Sequence, residues 1–297
     1  MKLLSVPYAL TLCLSAIAIS AEAASPLTLK KGENVAIVGN GLADRQQHHA
    51  WLETLIHKAY PDLELTVRNL GFAADEVNLH PRSAEVPSTD YFLGMKKGVT
   101  EVSGGKEGTI QYLAGTDFKA SVILAYWGFN ESFKGEQGLA NFKVELGNYL
   151  TGLKKKDYGA GAPRIVLLSP IAHEDLKNPS LRNANQNNKN LAAYTAAMAE
   201  VAKEQDVLFV DLFAASKALF EKASKPLTIN GIHLTEEGDK LLAPIQFQAI
   251  FDKPAPSSAD PSLEQLRAAV LDKNNEWHHR YRTVDQYNIY GQRSRTY

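Results

Sequence analysis

The sequence predicts an open α/β fold, five parallel strands with helices on both faces, and three observations predict it. Five short apolar, β-branched runs recur along the chain at 34–38, 64–68, 121–126, 164–168 and 207–210, and amphipathic segments of helical period separate them, which is the pattern of strands joined by crossover helices. The first run passes directly into a tight turn, Gly39-Asn40-Gly41, that exposes backbone amides at the mouth of a sheet. A chain of 297 residues with 44% hydrophobic content is also long enough to bury a sizeable core in one large domain.

The elements follow in order. Residues 1–23 read as a secretory signal, with Lys2, an apolar run over 3–19, and Ala21-Glu22-Ala23 as a small-x-small cleavage site before Ala24. The mature chain is therefore expected to start near Ala24 and to be exported to a bacterial periplasm or exterior. Cys13 is the only cysteine and lies within the signal, so no disulfide, thiolate nucleophile or cysteine ligand is expected after cleavage. The main domain is expected over 24–251. Its first helix, 45–60, carries Trp51, Leu52, Leu55 and Ile56 at helical spacing and stops before Pro61. A second, 136–156, carries Leu139, Phe142, Leu146 and Leu150. A third, 187–204, repeats Leu191, Tyr194, Met198 and Val201. The fourth, 235–251, is capped by Thr235 and buries Leu241, Leu242, Ile245 and Phe247.

The connection from Gly71 to Ala120 holds Pro81, Pro87, Gly94, Gly98 and Gly104-Gly105. Loops this long are functional or partly folded on their own, so it reads either as an overhang on the substrate side or as a surface insertion. Residues 252–261 form a Pro/Ser-rich linker. Residues 262–297 are expected to begin with a short helix, 262–271, with Ser262 as cap and Gln265 completing a capping box. They continue as a tail rich in aromatics and arginine, Trp277 to Tyr297, which is expected to dock on the domain.

Composition excludes several classes. A formal charge of −1 gives no overall field for nucleic acid or an anionic membrane. The histidine pairs His48-His49 and His278-His279 are adjacent in sequence, so on a helix they point about 100° apart and do not chelate one ion. No metal is expected. Gly39-Asn40-Gly41 lacks the spacing of a phosphate loop and the third glycine of a dinucleotide fingerprint. No cofactor is implied.

Four segments carry candidate chemistry, each at or just after a predicted strand end, where ligands of open α/β sheets bind. They are 34–42, then Asn69-Leu70-Gly71, then Gly128-Phe129-Asn130-Glu131, and last Ile229-Asn230-Gly231-Ile232-His233-Leu234-Thr235. A fifth, Ser169-Pro170-Ile171-Ala172-His173-Glu174, follows the fourth strand; His173 and Glu174 either line the pocket or cap the loop. Singly, Gly71 reads as a turn residue, Asn130 as a helix cap, Asp44 as the N-cap of the next helix, and Glu131 as a first-turn acid balanced by the helix dipole.

In this order the four segments resemble the four sequence blocks of the SGNH, or GDSL, hydrolase family. Block one, Gly-Asn-x-Leu-Ala-Asp-Arg, is similar to that of an exported bacterial subgroup. The resemblance implies a three-layer α/β/α sandwich, flavodoxin-like in layout, and hydrolysis of esters in lipids, acetylated sugars or thioesters. It also implies that the Gly41 turn, Gly71 and Asn130 donate to an oxyanion, and that His233 is the general base. Two positions depart from the family pattern. Gly41 stands where the nucleophilic serine is expected, and Asn230 stands where a carboxylate would orient the histidine. Three explanations remain: a different nucleophile or water activated by His233 with Asp44, Asp75 or Glu131; a pseudoenzyme that binds carbohydrate; or Ser132 or Ser169 entering the cleft from another loop. The expected ligand is a small-molecule or polysaccharide substrate, with Asn40, Glu131, His173 and Glu174 as candidate substrate contacts.

Overall fold

A computed structural model of the chain describes residues 25–81, 89–94, 100–103, 106–109 and 118–281. The expected signal and the tail beyond 281 lie outside the described residues. Five strands form one parallel sheet: β1 (Asn34–Gly39), β2 (Thr66–Asn69), β5 (Val122–Tyr126), β6 (Arg164–Leu168) and β7 (Leu208–Val210), in the order β2-β1-β5-β6-β7. β5 is the central strand, and β1 lies between β2 and β5, pairing Ile37 with Asn69 on one side and with Leu124 on the other. The connection between β2 and β5 is partly folded. It contains a short helix, α3 (Thr89–Leu93), and an antiparallel pair, β3 (Thr100–Ser103) and β4 (Lys106–Thr109).

Strand side chains alternate between two cores, as the two-residue period of a pleated strand dictates. Ala36, Val38, Ile123, Ala125 and Leu167 face α4 (Gly135–Lys154) and α5 (Ala184–Glu204), packing on Phe142, Leu146, Tyr194 and Met198. Val35, Ile37, Leu124, Val166 and Leu168 face α2 (Trp51–Ala59) and α7 (Glu236–Phe251), packing on Leu52, Leu55, Ile56, Leu242 and Phe247. Each fully buried side chain of this size contributes about 1.5–3 kcal/mol, and both faces are covered, which is why the strands read as nearly continuous apolar runs. On α7 the buried apolar side chains are Leu242, Ala243, Phe247, Ile250 and Phe251, whereas Leu241 is exposed and Ile245 only half-buried. Thr235 caps the helix, accepting from the Gly238 amide at 3.1 Å.

The structure changes several local readings. The expected helix 45–60 is two helices, α1 (Gly41–His49) and α2, broken at Ala50, which adopts a left-handed φ of 62°. α1 also starts earlier than the sequence suggests, so Asn40 is its N-cap and Asp44 lies inside it. An additional helix, α6 (Leu212–Lys222), follows β7, with Asp211 as its cap.

The C-terminal helix, α8 (Pro261–Tyr281), is twice the expected length, and Asp260 rather than Ser262 caps it, accepting from the Ser262 amide at 2.9 Å. It runs along the open edge of the sheet. In β2 the backbones of residues 66, 68 and 70 face β1, which leaves the Val67 and Asn69 carbonyls pointing outward. Lys273 Nζ bonds the first at 3.0 Å and Trp277 Nε1 bonds the second at 2.7 Å. Side chains of α8 thus blunt an edge that would otherwise be available for strand pairing.

Candidate active site

Two local devices bring the N-terminal turn into position. Gly39 has φ +132°, and a Cβ there would lie 2.1 Å from the Tyr126 carbonyl oxygen, so only glycine lets β1 end against β5. Asn40 then leaves the strand in extended conformation, and its Oδ1 faces the Leu42 amide at 3.4 Å. Its side-chain amide nitrogen is buried with no hydrogen-bond partner among the described residues. Gly41 is the first residue of α1, where amides are unsatisfied within the helix and the macrodipole is positive.

The histidine arrives on a loop held from both ends. Ile229 donates to the His233 carbonyl at 2.8 Å, and Thr235 donates to the Leu227 carbonyl at 2.9 Å. Asn230 Oδ1 accepts from the backbone amide of His233 at 3.1 Å and lies 3.0 Å from His233 Nδ1. An oxygen that takes a backbone N–H can only accept from the ring as well, so Nδ1 carries the proton and Nε2 keeps its lone pair. That nitrogen faces Gly41: a Cβ built on Gly41 would stand 3.6 Å from it. Burial lowers the His233 pKa below the ordinary imidazole value of 6.5; the Arg45 charge lowers it further, and the Asp44 carboxylate opposes. The ring is therefore neutral, and able to act as a base, at neutral pH.

A cavity of about 310 Å³ opens in front of this pair, lined by Asn40, Gly41, Asn130, His233 and an apolar wall that includes Leu42, Phe129, Phe133, Ile171 and Ile232. Asn130 follows β5, and its half-buried side chain lines the cavity. Ala73 and Ala74 supply the part of the wall that comes from the long connection.

The remaining candidates do not line this cavity. Gly71 presses against α1, where a Cβ would meet the Asp44 amide nitrogen at 2.5 Å, and its own amide donates to Asn69 Oδ1 at 2.9 Å. Its place is therefore one of close backbone packing, not that of the expected donor at the cavity. Asp44 Oδ1 accepts from Gln47 at 3.1 Å. Glu131 is 1% exposed and accepts from the Val77 and Gly128 amides, each at 3.0 Å. Burial pushes its pKa up to about 7. It ties the Asn130 turn to the long connection instead of meeting substrate. Glu174 clamps the histidine loop: Thr228 donates to it from backbone at 2.7 Å and from side chain at 2.5 Å, and Leu227 donates at 3.0 Å. His173 backs the same loop. Gly231 has φ +88°, and a Cβ there would be 2.3 Å from His173 Nε2; Asn187 lies 2.8 Å from Nδ1. His173 and Glu174 are thus positioning residues, and their expected contact with substrate is not made at this cavity.

The two alternative serines are committed elsewhere. Ser132 donates to the Phe129 carbonyl at 2.6 Å, and Ser169 Oγ accepts from the Leu212 and Phe213 amides at the start of α6. Asp75 lies 3.1 Å from His80 and lines a separate cavity. Among the described residues no group of three or more His, Cys, Asp or Glu side chains is arranged to hold a metal, and no helix is long and apolar enough to cross a membrane. Sequence reasoning missed the apolar wall, of which Phe129 and Phe133 flanking Asn130 were the legible part, and it missed Arg45, which touches His233 only electrostatically.

No protein-family model and no curated protein matches the chain. Solved structures do. A catalytic mutant of an acetylxylan esterase from Geobacillus stearothermophilus is 16% identical, with TM-score 0.52, over 75% of this chain and 96% of that one. An acetyl-xylooligosaccharide esterase mutant from the same source is 17% identical, with TM-score 0.53, over 78% and 100%. A gut microbial diltiazem-metabolizing enzyme is 16% identical, with TM-score 0.55, over 76% and 48%. Catalytic mutants of that acetylxylan esterase, replacing a serine, an aspartate and a histidine, are among the structures matched.

Proposed function

We propose that this chain, which has an SGNH-like hydrolase fold, is an exported ester hydrolase acting on acylated carbohydrate, with water in place of the usual seryl hydroxyl. The observation that carries the reading is the free Nε2 of His233 facing the bare Cα of Gly41. Where a serine side chain would stand, there is room for water within reach of that nitrogen. His233 takes a proton from this water as it attacks the ester carbonyl, and then returns the proton to the departing sugar oxygen. The oxyanion formed on the way is met by the Gly41 amide at the positive end of α1, by the Asn130 side chain and by the unpartnered amide of Asn40. Asn230 fixes the tautomer of His233 but brings no charge to stabilise the imidazolium, so turnover is expected to be slow.

The carbohydrate assignment is supported by the fold likeness to esterases of acetylated xylan and by an apolar wall suited to an acyl group. Export rests on the signal pattern of residues 1–23. Gly41 and Asn230 together favour a second reading, a binding protein that holds the same ligand without cleaving it. One experiment separates the two. Purified protein and His233→Ala are incubated with acetylated oligosaccharides, and both acetate release and melting shift are recorded. Release by the native chain that disappears in the variant supports hydrolysis. A melting shift in both proteins with no release in either supports binding alone.

A further inference from the structure

We propose that the mouth of the cavity carries a subsite for an acidic sugar, a uronate or sulfated ring, built from Arg182 and the aromatic pair Phe129 and Phe133. The proposal rests on the reading of the cavity as an acyl-carbohydrate site and adds the charge of the sugar. Phe133 lines the cavity yet leaves 46% of its surface exposed, which is unusual for a large apolar side chain. Phe129 meets it edge to face, with centroids 5.2 Å apart at 78°, so the two rings form a fixed apolar ledge against which a pyranose can pack.

The Arg182 guanidinium lies over the Phe133 ring, 4.6 Å from its centroid. A guanidinium stacked in this way leaves its in-plane N–H donors open to a planar carboxylate or a sulfate. Arg182 is exposed and makes no ion pair among the described residues, whereas Lys134 pairs with Glu76 at 2.5 Å, and Lys177 with Asp175 at 2.5 Å. Its backbone is anchored because Asn183, the next residue, caps α5 by accepting from the Gln186 amide at 3.0 Å, and the positive end of that helix adds to the attraction for an anion. A cation held on an exposed ring at the entrance to a cavity is placed to read a charge on the part of the ligand that stays outside.

The test uses the full chain and three probes: acetylated oligogalacturonate, a sulfated chondroitin oligosaccharide, and neutral acetylated xylo-oligosaccharide. Binding is measured by calorimetry at low and physiological salt, and acetate release is measured alongside. The native protein is expected to bind at least one acidic probe about fivefold more tightly than the neutral one at low salt, with the preference shrinking as salt rises. Arg182→Gln is expected to erase the preference and Arg182→Lys to retain part of it, while Phe133→Ala weakens acidic and neutral probes together. Which acidic probe is preferred separates uronate from sulfate. Equal binding of all three by the native protein, binding of none, or a preference that survives in Arg182→Gln overturns the proposal. Acetate release without acid preference would leave hydrolysis standing and remove the subsite; acid preference without release would do the reverse.

Discussion

Gly41→Ser is the perturbation that tests the site most directly, because it supplies the hydroxyl whose place water takes in the proposed mechanism. A Cβ at 41 would sit 3.6 Å from His233 Nε2, its nearest neighbour and at an ordinary van der Waals distance, so a serine fits without displacing anything. Its hydroxyl, one bond further on, comes within hydrogen-bond reach of that nitrogen. Serine is also the better helix residue by about 0.5 kcal/mol, so stability should hold or rise slightly. In serine proteases, loss of the nucleophile costs roughly 10⁶ in kcat, while an Asp-to-Asn change at the orienting position costs roughly 10⁴. The single substitution is therefore expected to raise hydrolysis of an activated acetyl ester by roughly 10², and Gly41→Ser with Asn230→Asp by several orders more. The assay is p-nitrophenyl acetate turnover, together with intact-mass detection of an acetyl adduct and of fluorophosphonate labelling at residue 41. If the double variant melts like the native protein yet neither turns over ester nor takes up either label, the cavity is not acyl-transfer machinery.

Three further outcomes are expected. Hydrolysis by the native chain should rise with pH as His233 loses its proton, with its midpoint on the acid side of 6.5, since burial and Arg45 both favour the neutral ring; a pH–rate profile with its acid limb centred above 6.5 contradicts that assignment. Gly231→Ala should cost about 3 kcal/mol and lower activity with it, because it combines a left-handed backbone with a 2.3 Å approach to His173; denaturant unfolding checks the first and turnover the second. Trp277→Phe, which removes the bond to the Asn69 carbonyl and shrinks the ring that the Arg68 guanidinium covers, should cost about 1 kcal/mol, and Trp277→Ala about 3 kcal/mol; no change in melting for either would mean that α8 does not guard the sheet edge.

Much of the site was legible because its carriers are local. A strand that ends in Gly39-Asn40-Gly41 must turn sharply, and a loop ending at Thr235 must place His233 just ahead of a helix. The orientation of the ring by Asn230 is likewise a three-residue affair, fixed by one side chain folding back on its own turn. The acidic residues were not legible in this way. Glu174 and Glu131 sit in loops at the sheet mouth, where sequence position alone makes them look like pocket groups. Their carboxylates instead bind amides 53 and 54 residues away, and no local pattern signals that commitment.

The same division runs through the whole chain. Residue periodicity determined that there would be five strands with helices on both faces, because alternation and helical spacing depend only on near neighbours and on burial. Tertiary structure decided that α1 and α2 break at Ala50, that Gly71 packs on α1 while its amide is taken up by Asn69, and that Trp277 reaches a carbonyl 208 residues earlier. Those outcomes follow from which backbone groups are left unsatisfied once the layers have packed, and that is a property of the assembled sheet.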